Sequence, residues 1–247
     1  MNTNQTILFL LETEKNINNI PHSKSREGSS VLNLIHRIEK AFPKSKYGIK
    51  FIISEDADVA KNSLQISGLF NAKNKYNWNI KYPKRAADIF ITIHYNKINT
   101  NEIILTRAKH REFLLKLYSA ISHEIIHRAQ WSRIRSKEIP AEYCLWYKYY
   151  SSKCADRAKR DEQEYLGSYI EIDAYAHDFM LDLKRVAIDS QCSSLELLRR
   201  HKSLSMQDSV LDDYLNTFDY DYNHPAIKLL LRRTRFWIEK YNSIFTK

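Results

Sequence analysis

Apolar positions recur along this chain in two different periods, and the change falls near residue 106. Before it, four short segments are rich in β-branched and aromatic residues: YGIKFIIS, SLQISGLF, KYNWNIKY and ADIFITIHYN. In the last, Ile89, Ile91 and Ile93 alternate with Phe90, Thr92 and His94. A period of two puts the sets on opposite faces of a strand, so these segments predict a small antiparallel or mixed sheet. Ahead of them, SSVLNLIHRIEKAF carries Val31, Leu32, Leu34, Ile35 and Ile38 at helical spacing behind a serine start signal. The polar, turn-rich stretch from Asn18 to Ser30 reads as a loop.

After Thr106 the period is that of helices. Phe113, Leu114, Leu117, Tyr118, Ile121, Ile125 and Ile126 form one stripe. A segment opening on Pro140, a favoured first helical position, can continue as a helix to Tyr165. EIDAYAHDFMLDLKRVA predicts another helix, SSLELLRR and SVLDDYLNTF shorter ones, and HPAIKLLLRRTRFWIEKYNSIF a long terminal one. Strands first and helices later predict an α+β fold. With no convincing linker, the expectation is a single domain over 1–247, its sheet-bearing part at 1–106 and its helical part at 107–247.

Composition narrows this picture. Only four glycines and five prolines occur in 247 residues, which argues against a many-turned β-sandwich or barrel. Hydrophobic residues at 43% supply a sizeable core. Three cysteines, Cys144, Cys154 and Cys192, form no CxxC pair, which fits a reducing, cytoplasmic setting better than a disulfide framework. The apolar run ILFLL is five residues long with no basic segment before it, so neither a signal peptide nor a membrane span is expected. The formal charge of +10 favours acidic partners, nucleic acid among them.

The helical stripe at 113–126 runs through SHEIIHRAQ, which contains His-Glu-x-x-His. Four residues apart on a helix, His123 and His127 share a face one turn apart and can close on a single metal ion. Glu124 lies beside them as a general base toward a metal-activated water. Catalytic zinc usually has three protein ligands and an open position, so a third ligand is required. EYLGSYIEIDAYAHDF supplies Glu171, with Ala174 and Ala176 as small residues that permit close helix approach. Asp173 is the alternative; it is shorter and sits on nearly the opposite helix face, so only one of the two can point at the metal.

HEIIHRAQ together with YLGSYIEIDAYA resembles the HExxH…E pattern of the glutamate-type zincins. The likeness to CAAX-processing membrane zinc proteases is local: Tyr175 stands where their E-x-x-A-D segment has Asp, and their membrane spans are missing. A closer resemblance, over residues 113–240, is to soluble, phage-encoded zincin-like metallopeptidases, which share the HExxH helix, a YL…EIEAYA helix and a terminal HP…K helix. Here Asp173 replaces the second Glu of that pattern. The resemblance implies a zincin-like fold, Zn²⁺ held by His123, His127 and Glu171, and peptide-bond hydrolysis of a protein or peptide substrate in the (host) cytoplasm. It also implies that ADIFITIHYN is the edge strand beside the active-site helix.

Other residues carry weaker signals. Tyr175 shares the face of Glu171 and reads either as a hydrogen-bond partner near the metal or as a packed core tyrosine, whereas His177 points away and reads as a surface or structural residue. His94 and His224 read as partners for backbone or helix termini. YCLWYKYYSSKCADRAKR and LLLRRTRFWIEKY interleave aromatic and basic residues, among them Arg157, Lys159, Arg160, Arg232, Arg233 and Arg235. Stacking and phosphate contact make weak, non-specific nucleic-acid binding the rival expectation, with zinc then structural or vestigial.

Overall fold

The computed structural model describes residues 3–21, 31–59, 64–71, 88–96, 107–135, 152–203 and 209–245. They fall into two compact units, 5–128 and 129–247 together with 1–4. The boundary lies inside a helix rather than at 106, where the apolar period changes.

In the first unit, helices α1 (Thr3–Asn18), α2 (Val31–Ala41) and α3 (Lys44–Tyr47) precede strands β1 (Ile49–Glu55), β2 (Leu64–Phe70) and β3 (Ile89–Tyr95). Helix α4 (Arg107–Arg135) follows. The sheet is mixed, in the order β1-β3-β2, with β1 parallel and β2 antiparallel to β3. The segment KYNWNIKY lies outside the described residues. The period of two is realised: Ile89, Ile91 and Ile93 are fully buried, while Phe90, Thr92 and His94 are half-buried on the other face. ADIFITIHYN is therefore the central strand and not an edge, a correction to the expectation above. The strand richest in buried isoleucine is the one paired on both sides; β2, paired on one side among the described residues, carries Gln65, Ser67 and Gly68 exposed.

Two anchors fix this part of α4. Tyr118 donates to the Leu10 carbonyl at 3.4 Å. Arg128 donates to the Tyr47 carbonyl at 2.6 Å and to Asp88 at 3.3 Å, with both charged side chains largely buried. Gly48 ends α3 at φ +67°, and a Cβ there would lie 2.9 Å from Asp88 Oδ1. Gly48→Ala is therefore expected to destabilise the fold by about 1–2 kcal/mol from the left-handed backbone alone. Disturbance of the Arg128–Asp88 pair adds to that; denaturant titration against wild type measures the sum.

The second unit holds the end of α4 from Ala129, then α5 (Arg157–Leu166), α6 (Tyr169–Ser190), α7 (Ser194–Arg199), a 3₁₀ turn at His201–Ser203, α8 (Val210–Thr217) and α9 (Pro225–Phe245). Four of these helices start on capping side chains: Asp156 accepts from the Lys159 amide, Ser168 from Glu171, Ser193 from Glu196 and Ser209 from Asp212. The Asp156 cap corrects the expected continuous helix to Tyr165. Residues 152–156 are not helical, and the helix starts afresh at Arg157; residues 140–151 lie outside the described residues. Ala174 and Ala176 are fully buried along with Phe179, Leu183, Ile227 and Leu230. Trp237 of α9 donates to the Asp173 carbonyl at 3.1 Å, tying α9 to α6. The whole is an α+β fold with a small three-stranded sheet and mostly helical content.

Candidate metal centre

The quoted motif lies in the middle of α4, where its histidines meet as helical spacing requires. The His123 and His127 rings are 4.7 Å apart between centroids and nearly perpendicular. His123 is buried and His127 half-buried. The third member comes from the first turn of α6, where the Ser168 cap starts the helix and leaves Glu171 in the third position.

His123, His127 and Glu171 each offer a ligand atom, and these atoms all lie within 4.8 Å of one another. A triangle with sides of at most 4.8 Å has a point within about 2.8 Å (4.8/√3) of every corner, against zinc–ligand lengths of about 2.0–2.2 Å. Two imidazoles and one carboxylate are also a donor set that suits catalytic zinc, so the residues present fit the ion.

Asp173, the alternative ligand, is engaged elsewhere. Its Oδ1 accepts from Arg233 Nε at 2.8 Å and Nη2 at 2.6 Å, and from Trp237 Nε1 at 3.2 Å. Its Oδ2 accepts from Gln130 Nε2 at 3.3 Å, and the same amide donates to the Ile170 carbonyl at 3.1 Å. Gln130 stands one turn beyond His127 on the same helix. The network therefore holds the end of α4 to the first turn of α6, two residues from Glu171.

Three phenols surround Glu171. Tyr165 and Tyr175 each feel the Glu171 charge. Burial, and after it the Glu171 charge, pushes the Tyr175 phenol up to about 12. The same causes raise Tyr165 further, and burial holds Tyr214 well above its ordinary value. All three stay neutral donors at neutral pH. Tyr214 gives its proton to the Leu166 carbonyl at 2.9 Å. Tyr165 carries no sequence signal of this role, because the break at Gly167–Ser168 interrupts the helical spacing to Glu171.

Glu124 is buried at 6% relative exposure and lies against β2 at Gly68. Among the described residues, His177, His94 and His224 are not members of the group. His177 is fully buried, which corrects the surface alternative. Its Nε2 meets the Tyr241 hydroxyl at 2.9 Å, and its ring packs edge-on to Trp237. His94 meets Ser67 Oγ at 3.0 Å on the face of the sheet opposite Ile91. His224 accepts the Ala226 amide at 3.3 Å at the start of α9 and stacks on Phe218.

Several of the basic residues have acidic partners. Arg233 is paired with Asp173, Arg235 with Glu239, Lys159 with Asp219 and Arg157 with Asp161. Residues Tyr143 to Tyr150 of the aromatic-basic segment lie outside the described residues. No described helix is long and apolar enough to cross a membrane. Comparison with protein-family models, with curated proteins and with solved structures finds no match to this chain.

Proposed function

We propose that this chain is a zinc-dependent metallopeptidase of the glutamate-zincin type, acting on a protein or peptide substrate. The observation that carries this reading is the group of His123, His127 and Glu171, with ligand atoms within 4.8 Å of one another and Glu124 next in the chain to His123. A zinc ion held there supplies an electrophile that acidifies water and polarises the carbonyl it meets. Glu124 takes a proton from the attacking water as the oxygen–carbon bond forms. It returns that proton to the nitrogen as the carbon–nitrogen bond breaks. Tyr165, half-exposed and kept neutral by burial and by the Glu171 charge, is the phenol placed to orient the Glu171 carboxylate. Since β3 is central and Glu124 lies against β2, β2 is the strand along which an extended substrate would add.

Metal analysis of protein purified without chelator tests the reading. About one zinc per chain is the expected content. His123→Ala, His127→Ala and Glu171→Ala should each weaken binding more than about 100-fold, since loss even of a residue that only orients a ligand costs about 10- to 100-fold. Protein that carries no transition metal, and takes up none on addition of zinc, would sink the proposal.

A further inference from the structure

The positions of β2 on the same face of the sheet as Ile89, Ile91 and Ile93 are Leu64, Ile66, Gly68 and Phe70, an apolar alternation with one gap. Register places Gly68 in a row across the sheet with Ile91 and Phe51, both buried. The flanking rows, Ile49–Ile89–Phe70 and Ile53–Ile93–Ile66, are filled at all three positions. In the middle row the place of the third side chain is taken by Glu124. A Cβ on Gly68 would lie 2.7 Å from Glu124 Oε1, 2.8 Å from its Cγ and 3.1 Å from its Cδ. Carbon atoms in contact keep about 3.5–4.0 Å. Swinging the carboxylate tip aside would not relieve this, because Cγ is set by the backbone of α4 and the first side-chain torsion. A glycine inside a strand weakens it and often marks a close approach by another group; here that group is the carboxylate.

The geometry points to Gly68 as a positioning residue for Glu124: its missing side chain forms a slot in β2 that holds the carboxylate side chain in one orientation beside His123. This rests on the reading of Glu124 as the general base, but the slot itself can be tested without any activity. In a thermal-unfolding cycle on the full chain, Gly68→Ala should lower Tm by roughly 2–10 °C, the range expected from overpacking. In a Glu124→Ala background the same substitution should leave Tm unchanged or raise it, because the space is then vacant. An equal Tm change in both backgrounds overturns the slot. If Gly68→Ala alone does not fold, a folded Gly68→Ala, Glu124→Ala double variant supports the slot, and a double variant that also fails overturns it. In kinetics, Gly68→Ala should retain wild-type zinc content and KM within about twofold while kcat falls roughly 10- to 100-fold, as for a displaced catalytic group. An unchanged kcat overturns the positioning role. A wild-type protein that binds zinc and cleaves nothing speaks against the peptidase reading alone, and the unfolding cycle still decides the slot.

Discussion

Glu124→Gln is expected to retain zinc and to lower turnover by about 10²- to 10⁴-fold, the usual contribution of a positioned general base. The side chain lies outside the His123, His127 and Glu171 group, so its removal as a carboxylate takes no ligand from the metal. Gln is nearly isosteric and can keep the same close approach to Gly68. What it lacks is the basic oxygen that accepts a proton from water and later delivers it to the leaving nitrogen. Metal content and proteome-wide N-terminal profiling of wild type against the variant separate the two effects. Full turnover by a metal-loaded Glu124→Gln protein would remove Glu124 from the chemistry.

Asp173→Ala is expected to destabilise the second unit by about 3–5 kcal/mol, the cost of breaking one side of a buried ion pair. The Asp173 side chain is 5% exposed and that of Arg233 18%, so truncation leaves a guanidinium largely shielded from water without its counter-ion. Trp237 and Gln130 lose an acceptor at the same time. Replacing both partners, Asp173→Ala with Arg233→Met, should recover part of the loss, since no unpaired charge then remains. Glu171→Ala should behave in the opposite way, with metal lost and the metal-free fold little changed. Denaturant titration of the metal-free proteins, together with zinc titration, distinguishes the two residues. An Asp173→Ala protein that is fully stable and empty of zinc, beside a zinc-loaded Glu171→Ala, would reverse their assignments. For the same reason, a charge reversal at Arg233 reports on folding before it reports on nucleic acid. Salt-dependent binding is better tested at Arg232, which is exposed on α9.

How much of the site can be read without coordinates varies from residue to residue. His123, Glu124 and His127 lie within five positions on one helix, so 3.6-residue geometry alone places both imidazoles on one face. Glu171 and Asp173 could be separated as opposite faces of α6, but which face meets the histidines depends on packing. Arg233 and Trp237, some sixty residues further on, claim Asp173. Tyr165 belongs to a different helix from Glu171, with a serine cap between them, so no spacing rule links the two. Gly68 did leave a trace, a glycine interrupting an apolar alternation, although the group that fills the gap is 56 positions away in the chain.

Local pattern by itself determined the elements: the isoleucine alternation of β3, the stripe of α4, serine caps on three of the helices and Pro225 at the head of α9. Each follows from interactions within a few residues, namely backbone periodicity, capping hydrogen bonds and the fixed φ of proline. Tertiary structure alone decided that β3 lies between β1 and β2 and that Arg233 pairs with Asp173. It also decided that Glu124 occupies the place of a side chain missing from Gly68. Strand order, ion pairing and close packing join residues tens of positions apart, and their free energies depend on what else is buried beside them. No periodicity along the chain encodes that.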